Sequence, residues 1–208
     1  MSGSKFLLGV GILTVAIVVL GAVFLGRGDK KSGEVASAVI SPVDGAKHSI
    51  GEATASATIV EFGDYQCPAC GQAHPIVKKF LEDRGNSVYF VFRQFPLTQV
   101  HPNANDAARA AEAAGNQGKY WEMHDMLYER QGEWSGLSDA REKFTEYAQS
   151  LGLNLDQFKQ DMSEAIGVIN QDAKLGAELG VQSTPTFFVN GKIYPGVLSY
   201  ERLVELTK

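Results

Sequence analysis

Two cysteines in 208 residues, at positions 67 and 70, are all this chain has. So few exclude a disulfide-stapled scaffold and leave no cysteine over for another bridge. There is no second C-x-x-C, and no pair among the four histidines has ligand spacing. A zinc half-site completed by His74, His101 or His124 therefore has little in the sequence to support it. No basic cluster exists and the formal charge is −5, which argues against nucleic acid as a partner. Internal repeats and low-complexity tracts are also lacking. The apolar content of 44% is ordinary, and it supports a sizeable core without staples. The length suits a membrane anchor plus one domain.

What is present is Cys67-Pro68-Ala69-Cys70. The run Ala57-Thr58-Ile59-Val60-Glu61-Phe62 before it reads as a buried strand, and the run after it as a helix. A strand leading into a C-x-x-C that opens a helix is the sequence form of a dithiol–disulfide redox site. Residues three apart share a helix face, so the two sulfurs can meet. Cys67 falls at the helix start, where unpaired N–H groups and the helix dipole favour a thiolate. Pro68 falls at the first helical position, where a missing N–H costs nothing. Cys70 lies on the stripe Cys70, Ala73, Val77, Phe80/Leu81. Cys67 is thus expected to be the exposed nucleophile and Cys70 the buried resolving partner. A purely structural bridge over so short a loop would remove little chain entropy.

Phe6–Leu25 is uncharged and rich in Leu, Ile and Val, about the ~20 residues that cross a bilayer core. We read residues 1–5 as a cytoplasmic N-terminus, 6–26 as a transmembrane anchor or uncleaved signal, and 27–46 as a linker. Ala36-Ser37-Ala38 has the form of a cleavage site but lies well past the apolar run. Lys5 precedes the span, whereas Arg27, Lys30 and Lys31 follow it; on the positive-inside tendency that places the following domain in the cytoplasm.

The domain is expected over 47–208. The helix Pro68–Arg84, interrupted by Pro75, ends at Gly85-Asn86, and Ser87–Phe92 is a second apolar strand. Strand, helix, strand in this order predicts a parallel right-handed crossover. An all-helical insertion at about 101–165 follows. Its helices are expected at 103–115, 119–131, 138–151 with Ser138 as N-cap, and 154–162 with Asn154 as N-cap. The aromatic and Met positions here read as core. A helix over 166–179 ends at Gly180 and shows a small-residue stripe (Ala173, Gly176, Ala177, Gly180) suited to close packing on a sheet. Thr186–Val189 and Lys192–Tyr194 flank Asn190-Gly191, the strongest short hairpin signal. Ser199 caps a final helix. The fold class is α/β: a thioredoxin-like plan with an inserted all-helical subdomain, preceded by one transmembrane helix.

The stretches Thr58–Cys70, Arg93-Gln94-Phe95-Pro96-Leu97, His101-Pro102-Asn103-Ala104, Gly118–His124 and Thr184–Gly191 together make the chain resemble the DsbA-like, membrane-anchored thiol–disulfide oxidoreductases of bacteria. The resemblance runs from about His48 to the C-terminus. It implies a cis-proline at Pro185, with backbone groups of Thr184 beside the disulfide where an extended substrate pairs. It also implies a buried acid at Glu61, six residues before Cys67. Desolvation should raise its pKa, so that it either passes a proton to or from Cys70 or is a paired structural carboxylate. Pro75 matches a helix-kinking proline. The strongest oxidants of this class carry a histidine between the cysteines; Pro68 and Ala69 here leave the Cys67 thiolate to helix-end N–H groups alone, which implies a milder oxidant.

The implied activity is oxidation of cysteines in exported proteins by the Cys67–Cys70 disulfide, with no metal or organic cofactor. A quinone-linked membrane partner would reoxidise the dithiol. The resemblance places the catalytic domain outside the cytoplasm, on a single-pass cell-membrane anchor, and we adopt that over the basic-residue count. The alternatives are a reductase or isomerase of the same fold, a tethered peptide-binding module without redox turnover, and a metal-binding domain.

Overall fold

The central strand is β2 (Ala57–Gly63), and its alternating side chains divide the core in two. Ala57 and Ile59 belong to the larger apolar cluster, which also holds Cys70, Val77 and Phe80. Val60 and Phe62 point the other way, into a smaller cluster with Val91, Val181 and Phe188. Glu61 occupies a position on the larger cluster's side of the strand, where the pattern calls for an apolar residue. A computed structural model of the protein describes residues 40–208. The expected N-terminus 1–5, the anchor 6–26 and the tether up to residue 39 lie outside the described residues. Among the described residues no helix is long and apolar enough to cross a membrane.

The sheet runs β1 (His48–Ile50), β3 (Val88–Gln94), β2, β4 (Thr186–Val189), β5 (Lys192–Pro195). β2 and β3 are parallel and every other pairing is antiparallel. The crossover between β2 and β3 is α1 (Pro68–Arg84), whose buried face is Cys70, Ala73, His74, Val77 and Phe80. Pro75 sits inside α1 on an exposed position. After β3 come α2 (Ala104–Asn116), α3 (Tyr120–Glu129), α4 (Gln131–Trp134), α5 (Arg141–Ser150) and α6 (Leu155–Glu164), the helical insertion. α7 (Ile166–Glu178) then returns the chain to the sheet, and α8 (Tyr200–Leu206) closes it.

Local signals behave as their chemistry predicts in several places. Asn154 accepts from the N–H of Gln157 and Ser199 from that of Arg202, each capping its helix. Asn190 and Gly191 both have positive φ (49° and 79°), as a type I′ turn requires.

Three expectations need correction, and one strand was not foreseen. Ser138 does not cap α5: the helix starts later, at Arg141, and Asp139 accepts from the Arg141 N–H. The small-residue stripe on α7 is displaced. Its buried face is Ile169, Asp172 and Gly176, whereas Ala177 and Gly180 are exposed. Strand β1 had no sequence signal, being three residues long and held by pairing with β3. Finally, the end of the supposed linker is structured. Arg93 donates to the carbonyls of Pro42 and Gly45 (3.2 and 3.4 Å) and to that of Asp44. The guanidinium is itself paired with buried Asp172 at 2.7 Å, and Val43 and Ala46 pack on the smaller cluster.

Candidate active site

The end of β2 and the start of α1 form a tight loop in which every polar group has a job. Asp64 accepts from the Gln66 N–H at 2.7 Å, from the Leu97 N–H at 2.9 Å, and pairs with His101 Nδ1 at 2.7 Å. Gln66 donates to the Ser135 carbonyl and accepts from the Asn103 N–H, both at 2.7 Å. Gln131 donates to the carbonyls of Tyr65 and Cys67 at 2.7 and 3.0 Å. The insertion therefore grips the loop that presents Cys67. None of Asp64, Gln66 or Gln131 was singled out as a site residue from the sequence, and His101 only as a possible zinc ligand. Asp64 and Gln66 offered one signal, polar side chains directly after a buried strand and before the cysteine.

Cys67 is the N-cap residue of α1, in extended backbone, with Pro68 following at N1. It is less open than expected: 7% of its surface remains exposed, and Cys70 has none. Both are free thiols. Pro68 is exposed and Ala69 half-buried against the core. Across from Cys67 lies the loop before β4, where the Thr184–Pro185 peptide is cis. The Cys67 thiol donates to the Thr184 carbonyl at 3.4 Å. Thr184 Oγ1 is buried and has no hydrogen-bond partner among the described residues.

The two thiols are pushed in opposite directions. The Cys67 pKa is lowered to about 5, chiefly because Cys70 donates a hydrogen bond to its thiolate. Burial opposes this, while the N–H groups of Cys70 and Ala69 add to it. The thiolate thus rests on more than helix-end N–H groups. Cys70 is pushed well above its ordinary value, first by burial, then by its hydrogen bond to Cys67 and by the charge of Glu61. Burial alone raises Glu61 to about 8. Among the described residues Glu61 has neither a hydrogen bond nor an ion pair, so the paired-carboxylate reading has no partner there. The zinc half-site reading also fails to assemble: His101 serves Asp64, and neither cysteine joins a cluster of metal-ligating groups among the described residues.

A thioredoxin-type sheet with an inserted helical layer, a C-x-x-C at the start of a helix and a cis-proline loop facing it together define a thioredoxin-like fold built around a dithiol site. The chain belongs to the thioredoxin family, whose profile it matches over residues 44–208. A thioredoxin-like oxidoreductase from Silicibacter pomeroyi DSS-3 shares 32% identity, with a TM-score of 0.65 covering 76% of this chain and 88% of that one. BdbD from Bacillus subtilis (24% identity, TM-score 0.69, 79% and 92% covered) has the same fold. So does alpha-DsbA1 from Wolbachia pipientis (19% identity, TM-score 0.69, 80% and 94% covered). Among curated proteins, one named Na(+)/H(+) antiporter NhaA 1 from Salinispora arenicola is 45% identical over 166 residues, 78% of this chain and 24% of that protein. The chain spans about a quarter of the length of the curated relatives it matches.

Proposed function

We propose that the protein oxidises paired cysteines of exported proteins, acting as a disulfide donor through Cys67 and Cys70. The observation that carries this reading is the split between the two thiols, one lowered to about 5 and the other raised. A stabilised Cys67 thiolate favours the reduced protein, and a stable reduced form makes the disulfide a better oxidant. In the reaction a substrate thiolate attacks Cys67 Sγ of the Cys67–Cys70 disulfide. The S–S bond breaks, Cys70 leaves as a thiolate, and a proton neutralises it. The substrate's second thiolate then attacks its own mixed-disulfide sulfur and releases Cys67 as a thiolate. The substrate is oxidised by two electrons and the protein reduced by two.

Three further residues take roles in this proposal. Glu61, with its carboxyl raised to about 8, holds a proton at neutral pH and supplies it to Cys70. Thr184 offers backbone to an extended substrate, and Pro185 shapes that segment. No metal or organic cofactor enters the reaction. A quinone-linked membrane partner reoxidises the dithiol. The domain sits outside the cytoplasm on an N-terminal anchor. The occurrence of a similar segment in chains named as antiporters supports a place at the membrane.

The test is the reduction potential of the protein in glutathione buffers. A value towards ~−120 to −180 mV supports a disulfide donor facing an oxidising space. A value near ~−270 mV means a reductase and reverses the direction proposed.

A further inference from the structure

One turn beyond Cys70, α1 places His74 against α3, which carries His124 and Asp125. Both histidines are buried and Asp125 is half-buried. One ligand atom from each of the three lies within 4.8 Å of the other two. The imidazole centroids are 5.4 Å apart with the rings inclined at 64°. His74 Nε2 is sealed from solvent and has no hydrogen-bond partner among the described residues. Asp125 Oδ1 is near, at 3.5 Å, but the two do not form a hydrogen bond.

We propose that His74, His124 and Asp125 bind one divalent transition-metal ion of the zinc type. Two imidazoles and one carboxylate are a donor set suited to zinc and its neighbours rather than to calcium or magnesium. The surrounding contacts are those that such ligands need. Tyr65 OH engages His124 Nδ1 at 2.9 Å, which leaves Nε2 as the free nitrogen. Lys78 holds Asp125 Oδ2 at 2.7 Å and leaves Oδ1 as the ligating oxygen. Lys78 is also bonded to Glu129 at 2.8 Å, so two carboxylates answer its one charge and the neighbourhood stays receptive to a cation. Ligand bonds of ~2.1 Å in a tetrahedron put donor atoms about 3.4 Å apart. The widest gap, up to 4.8 Å, must close by up to about 1.4 Å, and half-buried Asp125 is the side chain placed to swing. The fourth position opens on a cavity of about 300 Å³ walled by Val77, Leu81, Phe90 and Trp121. Neither cysteine takes part, so the site is independent of the redox reading.

The test uses the full chain, metal-free and with Cys67 and Cys70 oxidised to the disulfide so that neither offers a thiolate. Co²⁺ is added and followed by visible absorption, then displaced with Zn²⁺. The expected result is saturable uptake of one Co²⁺ per chain without a sulfur-to-cobalt charge-transfer band. Asp125→Ala and His74→Ala should each weaken binding about 100-fold. Asp125→Ala changes a half-buried side chain, so it reports even where a core histidine variant fails to fold. Three results would overturn the proposal: no saturable uptake, affinity unchanged in Asp125→Ala, or uptake seen only after the cysteines are reduced.

Discussion

The Cys67 thiol meets the carbonyl oxygen of Thr184 at 3.4 Å, across 117 residues of chain. The contact joins the helix start, where the sequence puts the nucleophile, to the loop that carries the cis peptide. A thiolate formed there is held by Cys70 first and by the α1 N–H groups next. A lowered thiol pKa gives the reduced fold a contribution that is complete above the ordinary thiol value and is lost as pH falls through about 5. Alkylation of reduced protein by iodoacetamide should therefore be half-maximal near pH 5 and flat above neutrality. A midpoint near the free-cysteine value of ~8.5 would remove the thiolate from the mechanism.

The same asymmetry predicts which cysteine captures substrate. Cys70 is fully buried and Cys67 keeps a sliver of exposed surface. Cys70→Ser should accumulate mixed disulfides when its Cys67 thiolate attacks a disulfide-bonded peptide and releases one peptide thiol, whereas Cys67→Ser should accumulate none. Mass spectrometry of non-reduced samples distinguishes them, and adducts of equal amount on both variants would contradict the assigned order. A tethered peptide-binding module predicts a different result: loss of both cysteines would leave its binding activity unchanged.

The elements most legible in the sequence were those set by short-range patterns. The apolar run of β2, the amphipathic stripe of α1, the Asn190-Gly191 turn and the Ser199 and Asn154 caps all depend on residues a few positions apart. What escaped was set by long-range polar contacts. Asp64 reaches Leu97 and His101, Gln66 reaches Asn103 and Ser135, and Gln131 returns to Tyr65 and Cys67. No periodicity encodes such pairings. The end of the linker was missed for the same reason. Pro42–Ala46 has no periodic pattern, but Arg93, 48 to 51 residues further along the chain, gathers its carbonyls. Glu61 was legible as an oddity, an acid in an apolar strand, and the absence of a partner emerged only from the fold.

The displaced stripe on α7 gives a packing prediction. A Cβ on Gly176 would lie 2.7 Å from the Phe95 ring and 2.9 Å from that of Phe62, too close for any real contact. Phe62 is fully buried and cannot retreat. Gly176→Ala should cost ~1–3 kcal/mol and lower the melting temperature. Ala177, on the exposed side, should tolerate serine within about 0.5 kcal/mol. Equal effects at the two positions would mean that α7 presents a different face to the sheet.

Glu61 gives the sharpest dependence on pH. Its folded pKa of about 8 lies above the ordinary carboxyl value of 4.5, so the charged form is disfavoured in the fold. Stability is therefore undiminished by this group below pH 4.5 and is lost progressively as pH rises towards 8. Burial is the only cause of the shift, so the effect persists when the cysteines are a disulfide and do not titrate. Denaturant unfolding of oxidised wild type should therefore lose stability relative to Glu61→Gln between pH 5 and pH 8.5, by up to roughly 4 kcal/mol. A parallel pair of curves would show that the carboxyl is solvated or neutralised by a partner. The kinetic half of the test is separate. The charge of Glu61 raises the Cys70 thiol pKa, and Gln in its place can neither give nor take the proton. Attack of a reduced peptide on the oxidised protein should slow about 10-fold or more in Glu61→Gln, with Cys67 alkylation unchanged. If exchange ran at the wild-type rate while the stability curves diverged, Glu61 would be a buried charge cost without a proton-transfer role.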